Sequence, residues 1–358
     1  MRVLVAAGGS GGHVYPALAV LEELRGMGRL SKAVWVGTER GIERDILRGY
    51  PWIEFHTLPC RGFPRGEPWG WPASLWWNLV SLVKAVRVLR QVRPDVVLGM
   101  GGYPAFAPVV AAALLRVPTA IHEQNAHMGL ANRLLSLLAD KVLLSFPDTR
   151  GVPVKKAVVT GNPVRREFLG PGPGEQAGEL LVLGGSQGSR TLVEATLRAA
   201  PALARLEGLR VRVQVGRAAD PRWVKERLQE AGLSGVQVER YLDRMPEALS
   251  RARLVIARAG ATTLAELAAM GRPAVLIPWT GAAGGHQAEN AQALAREGGF
   301  MVITERELSR IDLGSLIHKL WLDEEGLRRM AQASRRAAQP RAAEKVAHQL
   351  LALAKEGL

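Results

Sequence analysis

Short apolar runs alternate with longer amphipathic segments along this chain. The first run, residues 3–7, leads into a glycine-rich loop and then into a segment whose apolar residues recur at helical spacing. Runs rich in valine, isoleucine and leucine between helical segments are typical of parallel strands that are covered on both faces. Further strands are predicted at residues 33–37, 95–99, 119–122, 141–145, 158–160, 180–183, 210–215, 236–239, 254–257, 274–277 and 300–303.

The succession of strand, glycine-rich loop and helix occurs once in each half of the chain. Gly-Gly-Ser-Gly-Gly-His at residues 8–13 follows the first strand, and Gly-Gly-Ser-Gln-Gly-Ser at residues 184–189 follows a strand near the middle. A stretch rich in glycine and proline at residues 170–174 indicates a hinge between Asn162 and Glu179. The two halves are therefore predicted to be domains of the same architecture.

This organisation predicts an α/β protein with two doubly wound parallel-sheet domains that face a central cleft. Ligands are expected at the carboxyl ends of the strands, in that cleft. The domains are expected at residues 1–163 and 164–340. Residues 341–358 are expected to form a C-terminal helix that packs back on the first domain.

Composition narrows the class of protein. Of the 358 residues, 47% are hydrophobic and 22% charged, which excludes disordered and fibrous proteins. The net charge of +14 indicates an anionic partner such as nucleic acid, a phosphorylated ligand or an anionic membrane. The single cysteine, Cys60, excludes a disulfide within the chain.

Two apolar segments are candidates for a targeting or membrane segment. The run after Met1 is too short for a secretory signal. In the uncharged stretch 96–115, glycines and prolines favour a strand, a turn and a helix at 107–115 over a membrane span.

Several nucleotide and metal motifs are absent from the sequence. Residues 8–13 do not complete a dinucleotide fingerprint, and no P-loop occurs. His122 and His127 are five positions apart and so do not form a zincin motif. No Asp-x-Asp pair occurs, so we expect no required cofactor, although a divalent metal could assist. The arginine-rich stretch 328–345 is interpreted as a solvated helix face, and no nucleic-acid partner is expected.

Two loops in the second half have the features of a diphosphate site. Residues 184–189 and 258–266 both follow predicted strands and open helices, where backbone N–H groups and the helix dipole attract phosphate. The alternative is that their glycines only form tight turns. Glu266 could accept hydrogen bonds from a ribose diol, or simply stabilise its helix. Gln287 and Asn290 share a helix face, and their amides suit sugar hydroxyls.

His13 ends the first glycine-rich loop at the start of a helix. A helix N-terminus favours the neutral imidazole, which can act as a general base near neutral pH. The alternative is a histidine that only caps the helix.

Tryptophan and basic residues are concentrated between Arg61 and Arg93. This mixture suits docking on an anionic membrane surface. The alternative is a helix at residues 74–91 with an ordinary core face, but Trp69 and Trp71 are expected in a loop outside that helix. The docking candidates are Trp69, Trp71, Trp76 and Trp77, interleaved with Arg61, Arg65, Lys84, Arg87, Arg90 and Arg93 against a single acid, Glu67.

Seven segments together resemble the MurG family. They are GGSGGHVYPALA (8–19), GMGGYPAFAP (99–108), HEQNAHMGLANRLL (122–135), GNPVR (161–165), GGSQGSR (184–190), ARAGATTLAELAAMGRPAVLIP (257–278) and HQAENA (286–291). The resemblance implies the GT-B glycosyltransferase fold and inverting transfer of GlcNAc from UDP-GlcNAc to the 4-hydroxyl of MurNAc in undecaprenyl-pyrophosphoryl-MurNAc-pentapeptide (lipid I). The product would be lipid II, made by a peripheral protein at the cytoplasmic face of the cell membrane for peptidoglycan synthesis, and thus for cell shape and division.

The resemblance also implies site residues. His13 is the expected base, with Glu123 as the alternative. The expected acceptor contacts are Tyr103, His122 and Asn132. The expected donor contacts are Ser10, Gly11, Gly12, Asn125, Arg165, Ser186, Leu242, Ala261, Thr262, Thr263, Leu264, Ala265, Glu266, Gln287 and Asn290. The chain departs from the family pattern at Ser10, Ala259 and His286, where threonine, serine and glutamine are common.

Two other functions remain open at this stage. A UDP-GlcNAc 2-epimerase would share the fold and needs no acceptor, but the tryptophan-rich segment argues against it. A non-catalytic binder of nucleotide sugars or nucleic acid is supported mainly by the charge of +14.

Overall fold

The computed structural model describes residues 1–39, 41–62, 69, 71–170, 178–185, 187–282 and 285–356. The chain divides into two compact units. Unit 1 comprises Met1–Arg165 together with Arg341–Leu358, and unit 2 comprises Arg166–Pro340. Most of the predicted linker at 170–174 lies outside the described residues.

Unit 1 is built on a parallel sheet that has seven strands among the described residues. Strand β1 is an interior strand, and its Leu4 pairs with Val34 on one side and Val97 on the other. The order across the sheet is β3 (Ile53–Leu58), β2 (Lys32–Thr38), β1 (Arg2–Ala6), β4 (Val96–Gly99), β5 (Thr119–Glu123), β6 (Lys141–Leu144) and β7 (Ala157–Val159).

Helices cover both faces of this sheet. Because side chains alternate along a strand, Val3 and Val5 pack in one core and Leu4 and Ala6 in the other. The first core includes α1 (Gly11–Gly26), α2 (Glu43–Leu47) and the terminal helix α14 (Ala342–Glu356); the second includes α3 (Trp71–Val92), α4 (Tyr103–Leu114) and α5 (Leu130–Leu138).

Unit 2 repeats this architecture. In the part of the chain that is described, its parallel sheet has the order β10 (Val236–Glu239), β9 (Arg210–Gln214), β8 (Glu179–Leu183), β11 (Ala252–Ala257), β12 (Ala274–Leu276) and β13 (Phe300–Val302). Its helices are α6 (Arg190–Leu203), α7 (Pro221–Glu230), α8 (Met245–Arg251), α9 (Ala261–Ala269), α10 (His286–Ala295), α11 (Glu305–Leu308), α12 (Leu313–Leu322) and α13 (Glu324–Arg336).

The predicted α/β class and parallel sheets are confirmed, but one strand was missed and the starts of two helices were wrong. Strand β3 was not predicted. Helix α4 begins at Tyr103 rather than at residue 107. Helix α3 begins at Trp71 rather than at residue 74, so Trp71 lies in the helix and not in a preceding loop. No helix in the described ranges is both long enough and apolar enough to cross a membrane.

The glycine-rich loops lie at the switch point of each sheet. In unit 1 the loops after β1 and β4 leave neighbouring strands, and the connections from these two strands run to opposite halves of the sheet. The loops after β8 and β11 hold the same position in unit 2. This is where open parallel sheets bind their ligands, so the fold places a candidate site in each unit.

Candidate active site

The loop after β1 brings His13 onto the first turn of α1. Ser10 is the N-cap residue, with extended backbone, and its hydroxyl lies 3.4 Å from Nδ1 of His13. The same Nδ1 lies 3.3 Å from the carbonyl oxygen of Gly8. Because a carbonyl only accepts, this contact favours a proton on Nδ1 and leaves the lone pair of the neutral ring on Nε2. The ring is half-buried, as are Gly11 and Gly12.

The loop after β4 lies against His13. A Cβ atom on Gly102 would come within 3.4 Å of His13 Cε1, so these two loops are in close contact. Gly102 is also the N-cap of α4, and Tyr103 follows it with its ring exposed to solvent. Partial burial raises the pKa of the Tyr103 phenol, so its hydroxyl stays protonated and able to donate. The loop after β4 thus brings Gly102 against the predicted base, whereas the ring of Tyr103 lies near Gly62.

Glu123 ends β5 with a buried carboxylate that accepts four hydrogen bonds. Oε1 accepts from the backbone N–H and the side-chain amide of Asn125, both at 3.0 Å. Oε2 accepts from the Gly129 N–H at 3.0 Å and from Asn132 Nδ2 at 2.9 Å. Only 2% of the residue is exposed. This arrangement fixes the 124–129 loop and the start of α5, and it leaves the carboxylate poorly suited to accept a proton from a substrate.

The side chains of His122 and Asn132 lie beneath the surface and pack beside the 124–129 loop. Neither is accessible, since His122 is fully buried and Asn132 is 2% exposed. Asn132 Nδ2 also donates to the carbonyl of His122 at 3.0 Å, and its amide would contact a Cβ placed on Gly101. Their predicted acceptor contacts stay predictions; the contacts present here are within the protein.

Arg165 lies at the end of the segment that follows β7. Its guanidinium stacks over the ring of Tyr15 with 4.4 Å from Cζ to the ring centroid. Tyr15 also lies against Gly11, where a Cβ would come within 3.2 Å of the ring. This stacking links Arg165 to the glycine-rich loop of α1, whereas Asn125 is tied to Glu123. In unit 1 the structure therefore groups Ser10–His13 with the start of α4 and with Arg165, and it groups Asn125 with the buried pair Glu123 and Asn132.

In unit 2 the glycine-rich loop after β8 begins helix α6. Ser189 is the N-cap, and its hydroxyl accepts a hydrogen bond from the Leu192 N–H at 3.2 Å. Gly188 has φ +78°, and a Cβ there would overlap the carbonyl of Val215, so only glycine fits. The predicted diphosphate contact Ser186 lies outside the described residues.

The loop after β11 begins helix α9 at Gly260. The first turn of α9 is formed by Ala261, Thr262 and Thr263, and the backbone N–H groups of a first turn point towards the N-terminal end of the helix. Leu264 is fully buried in the core, so only its backbone could meet a ligand. Glu266 lies within α9 and is 9% exposed, and Ala265 is half-buried.

The remaining predicted donor residues differ in exposure. Leu242 follows β10 and packs partly against the core. Gln287 is half-buried in the first turn of α10, and its amide oxygen accepts from the Trp279 N–H at 2.9 Å. Asn290 is fully buried, and its Nδ2 donates to the Ala259 carbonyl at 3.3 Å. Asn290 therefore ties α10 to the loop after β11.

Arg258 and Glu305 join the loops of unit 2, although Arg258 was predicted only as part of the segment 258–266 and Glu305 lies outside every predicted segment. One guanidinium nitrogen of Arg258 donates to Ser189 Oγ at 2.7 Å and to Glu305 Oε1 at 2.6 Å, and the other donates to the Ile277 carbonyl at 3.0 Å. Glu305 Oε2 accepts from the N–H of Thr280 at 3.1 Å and from its hydroxyl. Burial opposes ionisation of Glu305, but the hydrogen bonds from Thr280 and Arg258 outweigh it and lower its pKa. The one signal in the sequence for this network is the position of Arg258 beside the glycine-containing loop after β11.

No cluster of three or more histidine, cysteine, aspartate or glutamate side chains able to hold a metal occurs among the residues that the structure describes. The loops instead present backbone N–H groups at the starts of α6 and α9, which suit an anionic ligand.

The chain is similar in sequence to known glycosyltransferases over both of its units. The Glycosyltransferase family 28 N-terminal domain matches residues 3–144, and the family's C-terminal domain matches residues 179–346. The UDP-N-acetylglucosamine--N-acetylmuramyl-(pentapeptide) pyrophosphoryl-undecaprenol N-acetylglucosamine transferase of Lawsonia intracellularis is 40% identical, over 98% of this chain and 97% of that protein. The transferase of the same name from Listeria welshimeri is 36% identical, over 99% and 100%.

Solved structures agree with these relatives. MurG of Acinetobacter baumannii superposes with a TM-score of 0.76 at 32% identity, over 98% of this chain and 99% of that chain. A UDP-GlcNAc 2-epimerase from Neisseria meningitidis, solved with UDP-GlcNAc bound, gives a TM-score of 0.69 at 16% identity, over 98% of this chain and 100% of that one. The second likeness shows a shared fold alone.

Proposed function

The chain belongs to the MurG family of the family 28 glycosyltransferases, and from that membership we propose that it transfers GlcNAc from UDP-GlcNAc to lipid I. The observation that carries the proposal is 40% identity to a named transferase over nearly the whole length of both chains. The loop segments that resemble the family hold the candidate site residues in both units. The product is lipid II, a precursor of peptidoglycan.

The reaction step is a displacement at the anomeric carbon. The 4-hydroxyl of MurNAc attacks C1 of GlcNAc from the face opposite the diphosphate, the C1–O bond to UDP breaks, and the configuration at C1 inverts. The proton of the hydroxyl passes to a base. His13 is the better candidate, because its contact with Gly8 favours a lone pair on Nε2, whereas the Glu123 carboxylate already accepts four hydrogen bonds.

The leaving diphosphate gains charge as the bond breaks. We assign its stabilisation to the N–H groups at the starts of α6 and α9, whose dipoles are fixed before the reaction begins. Ser186 is proposed to contribute from the first loop, Thr262 and Thr263 from the second, and Glu266 to accept from the ribose. Gln287 is proposed to donate to the sugar through its amide nitrogen, because its oxygen already accepts from Trp279.

The acceptor carries a polyprenyl tail, so the enzyme must work at a membrane surface. We propose that the exposed face of α3 docks there. Trp71, Trp76 and Leu79 are more than half exposed, and Lys84 and Arg87 are exposed further along the same helix. Apolar side chains beside basic ones match an anionic interface. Trp77 is half-buried under the Arg61 guanidinium, 5.1 Å from Cζ to the ring centroid, and is left out of the docking face.

The location follows from the donor. UDP-GlcNAc is a cytosolic metabolite, so we place the reaction at the cytoplasmic face of the cell membrane, with the protein bound peripherally. Loss of the activity would deprive the cell of lipid II and thereby affect cell shape and division.

The test is acceptor-dependent UDP release. The wild-type protein is incubated with UDP-GlcNAc, with and without a soluble lipid I analogue, and the disaccharide product is identified by mass spectrometry. We expect UDP release only with the analogue, and a fall in turnover of about 10²–10⁴-fold in His13→Ala. No disaccharide from the wild-type protein would contradict the proposed function. Formation of the manno epimer from UDP-GlcNAc alone would favour the epimerase. Near-normal turnover in His13→Ala would move the base role to Glu123.

A further inference from the structure

We infer that Glu43 is a positioning residue for the reaction, acting through the glycine-rich loop that carries His13. This inference rests on the proposed function for its catalytic consequence. Glu43 is the first residue of the short helix α2 and is fully buried. It lies outside every motif used to recognise the family. A carboxylate so far from water requires a structural reason, since burying a charge is costly unless hydrogen bonds compensate.

The carboxylate joins the ends of two neighbouring strands. Oε2 accepts from the backbone N–H of Gly9 at 3.1 Å, in the loop that follows β1. Oε1 accepts from the backbone N–H and the hydroxyl of Thr38, both at 2.7 Å, at the end of β2. Two of these donors are backbone groups that would otherwise be unsatisfied in a buried turn. Glu43 thus fixes the first loop to the sheet.

Three glycines leave the space for this side chain. A Cβ atom on Gly8 or Gly41 would overlap the Glu43 carboxylate, and one on Gly37 would come within 2.8 Å of its Cγ. None of the three has a φ in the left-handed region. Backbone conformation therefore does not explain why glycine stands at these positions, whereas room for a buried carboxylate does. Gly8, Gly37 and Gly41 form a cradle shaped around Glu43.

The effect reaches His13 through one peptide unit. Glu43 holds the N–H of Gly9, and the carbonyl of the same peptide belongs to Gly8. That carbonyl contacts Nδ1 of His13 at 3.3 Å. Fixing the peptide plane therefore fixes the direction in which the Gly8 oxygen meets the imidazole. Loss of the carboxylate lets this peptide rotate, and the ring then loses the contact that sets its tautomer and orientation.

The test compares Glu43→Gln with Glu54→Gln as a matched control. Glutamine keeps the shape but places an NH₂ group against an N–H donor. Glu54 lies on the neighbouring strand β3 and is partly exposed in an ion pair with Lys32. We expect kcat of Glu43→Gln to fall about 10- to 100-fold, more than KM for UDP-GlcNAc changes, with a shifted limb in the pH profile of kcat. Glu54→Gln should match the wild-type protein.

A second variant and a second measurement keep the inference testable if Glu43→Gln does not fold. Thr38→Val removes only the hydroxyl donor and should lower kcat by a smaller factor. Amide hydrogen exchange of residues 8–13 should accelerate in either variant, with exchange in α5 unchanged. This readout needs no substrate, so it distinguishes failure of the inference from failure of the proposed function. Wild-type kcat and pH profile in folded variants, or unchanged exchange at residues 8–13, would overturn the positioning role.

Discussion

At the scale of single residues, His122 is held neutral by its surroundings. Burial lowers the pKa of its imidazole to about 4. Its Nε2–H donates to the Gly161 carbonyl at 3.0 Å, and its Nδ1 accepts from Gln124 Nε2 at 3.2 Å. Gln124 in turn donates to the Met100 carbonyl at 3.0 Å. A proton on Nδ1 would face the Gln124 amide donor, so the network defines one tautomer and opposes the charged ring.

This neutral histidine predicts how stability depends on pH. In the unfolded chain the imidazole binds a proton below about pH 6.5, but in the folded protein only below about pH 4. Between these values the unfolded state binds more protons than the folded state. The contribution of His122 to the free energy of unfolding is therefore complete above pH 6.5 and is lost as the pH falls towards 4, by about 3 kcal/mol in all. We expect the urea midpoint of His122→Gln to depend less on pH over this range than that of the wild-type protein.

A direct measurement complements the unfolding experiment. In histidine-labelled protein, the NMR resonance of His122 should keep the chemical shift of the neutral ring from pH 7 to pH 5. Titration of His122 near pH 6.5 would contradict the buried, neutral assignment.

What the sequence could not predict at this scale is the direction of a side chain. The motif around residues 122–132 predicts groups on the acceptor side, but the side chains of His122, Glu123 and Asn132 are buried and form their hydrogen bonds within the protein. Asn290 likewise bonds inward to Ala259. The spacing of residues in a motif predicts which chemical groups lie near each other. Whether each side chain is buried depends on segments that are distant in sequence and pack over it.

At the scale of elements, Arg258 and Glu305 connect the ends of four strands in unit 2. Arg258 directly follows β11, and Glu305 begins α11 after β13. Their hydrogen bonds reach Ser189 after β8 and Ile277 and Thr280 after β12. The side chains are mostly buried, with 11% and 17% exposed. Hydrogen bonds to charged groups contribute about 1.5–3 kcal/mol each, so this pair can hold the loops in one arrangement.

Disrupting that pair should weaken donor binding. We expect Arg258→Gln to raise KM for UDP-GlcNAc by at least about 10-fold, because the starts of α6 and α9 lose their common support. Arg258→Lys should recover part of the loss, since lysine keeps the charge but not the fork of donors. Steady-state kinetics at varied UDP-GlcNAc concentration measures both effects.

The matched control is Arg253, on the same strand β11. Arg253 lies near the start of β11, and its guanidinium donates to the Trp321 carbonyl at 2.9 Å and pairs with Glu324 at 3.7 Å. Arg253→Gln should leave KM for UDP-GlcNAc near the wild-type value. Equal increases in KM for the two variants would mean that Arg258 acts only through general stability.

Strands were predictable where both faces of the sheet are buried, and they were difficult to predict where one side meets solvent. Continuous apolar runs identified the central strands, but β3 contains Glu54, His56 and Thr57 and lies at the edge of its sheet, where one side meets solvent. Helices α3 and α4 begin earlier than predicted because Pro72 and Pro104 stand in their first turns. Proline is accepted there since the first N–H groups lack helical partners.

At the scale of the whole molecule, one architecture is used twice, and the repeated glycine-rich loop predicted this. The central pairs β1–β4 and β8–β11 occupy equivalent places in the two sheets. Helix α14 follows unit 2 in the chain but belongs to unit 1, where Val346 and Leu350 join the core that contains β1 and α1. Its apolar spacing predicts a helix, and the core that this helix completes is formed by segments from the other end of the chain.

Membrane docking would orient the whole molecule, and substitutions on the exposed face of α3 can test it. Trp76 is 63% exposed and Leu79 51%. Burying a large apolar side chain contributes about 1.5–3 kcal/mol, so the double variant Trp76→Glu, Leu79→Glu should lower binding to vesicles containing phosphatidylglycerol by at least about 10-fold. Turnover on a detergent-soluble acceptor analogue should stay within about two-fold of the wild-type rate, because neither side chain belongs to the candidate active site.

Two comparisons decide whether the loss is specific to this face. Trp223→Glu changes a tryptophan of similar exposure on α7 of unit 2, and it should leave vesicle binding unchanged. Replacing Lys84, Arg87 and Arg90 with glutamine should weaken binding to anionic vesicles at low salt and make little difference at high salt, because ions screen the attraction. If the α3 variant binds vesicles as the wild-type protein does, the exposed tryptophans serve another purpose. If Trp223→Glu loses binding equally, docking involves unit 2 as well, and the surface must be sought beyond α3.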